Sequence, residues 1–159
     1  MRATTPAEWQ QPPVIRDLAP DECAAVLARG WVGRLAFAFR DRVDIQPVHY
    51  VYEDGWIYGR TSEGAKLRTV RHNPWVAFEV DEIHAPFDWT SVVVKGSFHR
   101  LDDDEDASPR TRLARDHALE LLRALTPRAL APGDPTPWRH VLFRISVDHV
   151  TGREARPGT

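Results

Sequence analysis

At 159 residues, 42% of them hydrophobic and 28% charged, the chain is long enough for one domain with its own core. A net charge of -2 gives no overall attraction to nucleic acid or to an anionic membrane. The single cysteine excludes an intrachain disulfide and a multi-cysteine metal cluster, and no apolar run reaches the ~20 residues of a bilayer-spanning helix.

The first 13 residues are polar and carry three prolines, which reads as a loose tail. They lack the charged-then-apolar order of a secretory signal, so a cytoplasmic location is the default. A short helix is expected from Asp17, its candidate cap, with Cys23, Val26 and Leu27 on the buried face and Gly30 ending it. Cys23 reads as a small core residue, since nothing marks a partner base beside it.

From Gly33 the period changes to two. Leu35, Phe37 and Phe39 alternate with smaller or charged residues, as in a half-buried strand. Residues 43–52 form the next strand, and Pro47, which has no N–H, places it at an edge or a bulge. Glu53, Asp54 and Gly55 form a hairpin turn into a strand over residues 56–60. Residues 65–71 make a short helix that stops before Pro74. Alternation resumes over residues 75–82, and a long strand follows over residues 89–101, where Gly96 permits a bend.

The acidic run at residues 102–106 lacks the glycine and distal glutamate of a calcium loop and reads as a solvated linker. A helical insertion at about residues 105–126 is expected to bury Leu113, His117, Leu121, Leu122 and Leu125. A proline-rich loop leads to a last strand over residues 138–147, and residues 151–159 read as a C-terminal tail. These short antiparallel strands describe a small barrel in a single domain over residues 14–150.

The segment WIYGRTSEGAKL, residues 56–67, carries the clearest chemistry. Arg60 and Lys66 supply positive charge, Thr61 and Ser62 supply hydroxyls, and Gly64 lets backbone N–H groups approach a ligand. A helix starting there adds unpaired N–H groups and its positive dipole end, which together suit a terminal phosphate. The alternative is a solvated turn with two surface cations. The seven histidines are scattered without metal-ligand spacing, so no metal site is expected. No residue stands out as a general acid or base.

The segments GWVGRLAF, DIQPVHYVY, DGWIYGRTSEGAKL, NPWVAFEVD and WTSVVVKGSFHRL, in this order and spacing, resemble the flavin-binding split-barrel proteins related to pyridoxamine 5′-phosphate oxidase. The branch they are most similar to is that of the small nitroimidazole-reductase-like flavoproteins. The resemblance covers residues 15–102, and FRISVDHVTGRE fits that branch's last strand. It implies a mainly β fold, a six-stranded antiparallel split barrel, and a homodimer with flavin mononucleotide (FMN) at the subunit interface. It implies a phosphate-binding set of Arg60, Thr61, Ser62 and Lys66. It also implies a ring-facing strand at Pro47, Val48, His49 and Tyr50, and a bordering strand at Trp89, Thr90, Ser91 and Val92.

Two departures narrow the expectation. Ala65 stands where nitroimidazole-reductase relatives often carry a histidine, and the arginine- and histidine-bearing C-terminal substrate segment of the true vitamin B6 oxidases is matched only loosely, by Arg153. The implied function is therefore an FMN-dependent oxidoreductase for a small organic substrate, not a vitamin B6 oxidase. A deazaflavin coenzyme is the alternative cofactor, with Arg68 and Arg71 as extra cations. A flavin- or haem-binding carrier or sensor, or a cofactor-free dimeric interaction module, are the alternative functions.

Overall fold

Period-two alternation shapes the sheet of this computed structural model, which describes residues 11–158. Strands β1 (Val14–Asp17), β2 (Val32–Phe39), β3 (Arg42–Glu53) and β4 (Trp56–Thr61) are followed by β5 (Trp75–Ala85), β6 (Asp88–Leu101), β7 (Val141–Ser146) and β8 (His149–Arg156). The helices are α1 (Pro20–Arg29), α2 (Ala65–His72) and α3 (Pro109–Leu125). All strand pairs are antiparallel. Strands β6-β5-β2-β3-β4-β7 close into a ring of six through the β6–β7 pairing, while β8 and then β1 extend from β6.

Inward residues of the alternating strands fill the ring. Leu35, Tyr50, Ile57, Phe78, Val92 and Phe143 are at most 1% exposed. Each such aliphatic or aromatic side chain contributes about 1.5–3 kcal/mol through burial. The tight turn from β3 to β4 has Asp54 at φ 47° and Gly55 at φ 80°, the left-handed pair that a two-residue hairpin requires.

Strand β6 is the hinge of the topology. It pairs with β8 over residues 89–95 and with β7 over residues 98–101, and Gly96 lies between the two partners. A Cβ at Gly96 would sit 1.6 Å from the Ser146 carbonyl oxygen, so only glycine allows the exchange of partners there. The bend expected at Gly96 is this crossover.

Strand β3 is divided in a similar way. Residues 42–49 pair only with β2, and residues 50–53 pair with β4. The barrel is therefore split along the outer edge of residues 42–49. The Tyr50 N–H donates to the Trp31 carbonyl on the β2 side. By antiparallel alternation, Val43, Ile45, Pro47 and His49 turn their backbone groups toward the split. Pro47 thus removes no ladder hydrogen bond, which is why an edge tolerates it.

Four expectations need correction. The helix begins at Pro20 rather than Asp17, with the Ala19 N–H held by Glu22 Oε2 at 2.7 Å; Asp17 belongs to β1. Residues 149–156 form β8 rather than a tail from residue 151, and β8 pairs with both β6 and β1. Its inward positions are the small Gly152 and Ala155, which leave no hydrophobic alternation to read. The last barrel strand starts at Val141, and Trp138 lies in the preceding loop, exposed.

The buried face of α3 is the fourth. It is Ala114, Ala118 and Leu122: Leu122 is buried as expected, but Ala114 and Ala118 take the places given to Leu113 and His117, and Leu113 is 71% and Leu125 40% exposed. Small side chains let α3 approach Tyr58, Leu101 and Leu142 on the outside of the barrel. The part of the expected N-terminal tail at residues 1–10 lies outside the described residues.

Candidate functional site

The split in the barrel is bordered by the end of β4 and the start of α2. Gly64 caps α2 without any side-chain hydrogen bond, so no side chain occupies the first N–H groups of the helix. Lys66, in the first turn, points inward and is only 8% exposed. Its Nζ lies 3.4 Å from Thr61 Oγ1, a hydroxyl that is itself buried. Among the described residues no carboxylate lies within ion-pair distance of Lys66. Burial pushes its ammonium below the usual lysine range, the nearby Arg139 pushes the same way, and Asp44 opposes them. A buried cation with no counter-ion beside free helix N–H groups is a site built for an anion.

Arg60 is arranged differently. Its Nη2 donates to both Asp134 oxygens at 2.9 and 2.8 Å, and to the carbonyl and hydroxyl oxygens of Thr136, each at 2.7 Å. The two charged side chains are 8% and 3% exposed. Desolvation acts to raise the Asp134 carboxyl, but the N–H groups of Thr136 and Leu130 and the Arg60 guanidinium hold it below the usual range. Arg60 thus enters a buried ion pair 74 residues away in sequence. Ser62 follows at the rim, half-buried, its carbonyl accepting weakly from Thr61 Oγ1 at 3.5 Å.

The expected ring-facing strand divides by parity. Val48 and Tyr50 turn into the core, where the Tyr50 hydroxyl donates to the Leu27 carbonyl at 2.7 Å. Their side chains pack the barrel and offer no wall to a ligand outside it. Pro47 and His49 face outward, and His49 lies tilted against Trp31 with ring centroids 5.4 Å apart. The usable groups of this strand are its edge backbone and the outward Pro47 and His49.

Trp89, Thr90, Ser91 and Val92 lie at the opposite end of β6 from α2. Leu67 and Val70 of α2 share a cleft with Phe98, and Ser91 is seven residues earlier, about 23 Å along an extended strand. Val92 is in the core, and the Thr90 hydroxyl accepts from Arg156 Nη2 at 3.0 Å. Ser91 donates to Glu79 Oε1 at 3.2 Å, and Trp89 donates through Nε1 to the Pro86 carbonyl. One chain does not bring these four residues to Lys66.

The outer face of the sheet carries a further feature. Ala36, Val43, Trp75 and Ala77 line a shallow apolar depression of about 250 Å³, beside the exposed Ile45. A larger cleft of about 610 Å³ adjoins α2 near Phe98 and Arg100, but Arg100 is already paired with Glu63 and Asp102. Asp134, Thr136 and Arg139 gave no signal in the sequence. They sit in an aperiodic loop, and only its docking onto β4 gives them a role.

Residues 19–154 match the family model described as pyridoxamine 5′-phosphate oxidase. An uncharacterized protein of Rhizobium meliloti is 31% identical over 152 residues, which is 91% of this chain and 97% of the relative. A solved structure described as a FAD-binding protein from Mesorhizobium loti is 36% identical, with a TM-score of 0.73, covering 90% of this chain and 99% of that one. A FAD-binding protein from Mycobacterium smegmatis is 26% identical with a TM-score of 0.61, covering 88% and 98%.

Proposed function

Because the chain belongs to the pyridoxamine 5′-phosphate oxidase family, we propose that it holds a flavin nucleotide in the split of the barrel and acts as a flavin-dependent oxidoreductase on a small organic substrate. The observation that carries this reading is Lys66, a buried ammonium without a counter-ion at the start of α2. Lys66, the Thr61 hydroxyl and the first N–H groups of α2 would hold the phosphate by charge-assisted hydrogen bonds. The edge of β3 at Pro47 and His49 would present backbone groups to the ring system. When bound, the flavin supplies the electron-accepting and electron-donating chemistry, and the protein positions it and tunes its affinity for electrons.

FMN is the first choice of cofactor, since one terminal phosphate accounts for Lys66. FAD is the second, supported by the two solved relatives described as FAD-binding. The apolar outer face with Val43, Ile45 and Trp75 is where a second copy would pack, giving the homodimer that the family resemblance implies. A partner copy is also the means by which a Trp89–Thr90–Ser91 segment could approach the Lys66 site.

The test is a titration of flavin-stripped protein with FMN, FAD, riboflavin and a deazaflavin coenzyme, read by fluorescence quenching. Tight FMN with weak riboflavin supports the phosphate site. Tighter FAD than FMN favours the second cofactor, and binding of the deazaflavin alone removes the flavin assignment. Turnover of an acceptor with a nicotinamide donor separates an oxidoreductase from a carrier. No turnover across a panel of quinone and nitroaromatic acceptors would sink the enzymatic part.

A further inference from the structure

We propose that Arg139, and not Arg60, supplies the second positive charge to the phosphate held at Lys66, and that Arg60 serves to anchor the loop that carries Arg139. This rests on the flavin-nucleotide reading of the site.

Arg60 is committed to the loop over residues 134–136 through one end of its guanidinium, and the other end is shut off from solvent. Its Nη2 is engaged by Asp134 and Thr136, and its Nη1 is sealed from solvent without a partner. The Asp134 carboxylate cancels its charge inside the protein, where each is less than a tenth exposed. Drawing the guanidinium out into the split would break a buried ion pair, which is costly because it strands both charges.

Arg139 has the opposite character. It is exposed, and among the described residues it forms no ion pair and no side-chain hydrogen bond. Its backbone N–H donates to the Thr136 carbonyl at 3.0 Å, the same carbonyl that accepts from Arg60. It precedes Val141 by two residues, and Val141 is the register partner of Thr61, whose hydroxyl meets Lys66. The Arg60–Asp134–Thr136 lock therefore fixes the loop so that Arg139 approaches the Lys66 site. Burial is the main force lowering the Lys66 ammonium, and the Arg139 charge is the next. The two neighbouring cations repel each other, Asp44 offsets part of that without an ion pair to Lys66, and a phosphate placed between the cations removes the rest. Arg139 would then act as a specificity residue for phosphorylated over unphosphorylated flavin.

The experiment titrates the full-length, flavin-stripped protein with FMN and with riboflavin by fluorescence quenching, and takes the ratio of the two affinities. Arg139→Gln is expected to weaken FMN by roughly tenfold, the size of one charge-assisted hydrogen bond, and to leave riboflavin and the melting temperature unchanged. Arg139→Lys should restore most of the loss. Arg110→Gln, on an exposed turn of α3, controls for net charge and should change nothing. An unaltered ratio in Arg139→Gln, with a collapsed ratio in Lys66→Gln, overturns the role of Arg139 while the phosphate site stands. An equal loss in Arg110→Gln also overturns it, since the effect would then be a general field. Wild-type protein that binds FMN and riboflavin alike overturns the phosphate site and this proposal with it.

Discussion

Lys66→Met should make the flavin-free protein more stable and the flavin complex weaker. The ammonium is 8% exposed, has no carboxylate partner, and makes one long contact of 3.4 Å to a hydroxyl. Methionine has a similar length and no charge to desolvate. Removing such a functional burden typically gains about 0.5–2 kcal/mol. For a domain of this size that is about 1–8 °C in Tm. FMN affinity should fall by about 1.5–3 kcal/mol, the worth of a hydrogen bond to a charged group, or roughly ten- to a hundredfold.

The gain has a defined pH dependence. The folded-state pKa of Lys66 lies below the ordinary 10.5, so the unfolded chain holds the proton more tightly. Wild-type stability at this site therefore rises with pH in the window between the lowered value and the ordinary one. The penalty is fully present below the lowered folded-state value, where the ammonium is charged in both states, and shrinks as pH rises through the window. The difference in Tm between variant and wild type should narrow as pH approaches 10.5. Thermal melts monitored by circular dichroism at pH 7, 8.5 and 10 measure it. A variant several degrees less stable than wild type at pH 7, or a difference that does not change with pH, would refute the argument.

Three other outcomes are expected. Gly96→Ala forces a Cβ against the Ser146 carbonyl, and should cost about 1–3 kcal/mol or more, read as a lower urea midpoint; an unchanged midpoint would contradict the partner exchange in β6. Tyr50→Phe removes the buried bond to the Leu27 carbonyl, and should cost about 1–3 kcal/mol in the same assay, whereas a neutral result would mean that α1 does not depend on this bond. Ile45→Asp places a charge on the 62%-exposed residue of the outer apolar face, and should halve the sedimenting mass without lowering Tm. Wild-type protein that already sediments as a monomer with flavin bound would exclude the dimer.

Wherever one face of a strand is buried and the other is not, its place in the fold was legible. Leu35 and Phe37 in β2, and Val76, Phe78 and Val80 in β5, alternate because the sheet separates core from outside. The elements that escaped are those whose burial does not rely on large side chains. β1 is exposed at all four positions and is held by its backbone pairing to β8. β8 buries a glycine and an alanine, and α3 packs through alanines at a spacing of four. In each case close backbone approach takes the place of a hydrophobic stripe, and period-based reading has no sign of it.

The candidate site was legible in part for a related reason. The spacing from Arg60 to Lys66 gathers cations and hydroxyls on one turn, and local chemistry is enough to mark that turn as a place for an anion. What local chemistry cannot assign is which of its charges is free. Arg60 and Lys66 look equivalent in the sequence, yet Asp134 neutralises one and, among the described residues, no carboxylate forms an ion pair with the other. The difference is made by a loop whose sequence is unremarkable and whose backbone folds around Asp134, with the N–H groups of Leu130 and Thr136 turned to the carboxylate. Those bonds keep Asp134 ionised, the ionised Asp134 keeps Arg60 occupied, and the occupied Arg60 leaves Lys66 as the buried charge at the split that still lacks its anion. The pairing of charges across the barrel thus separates the two cations, which a charge count along the segment alone does not do.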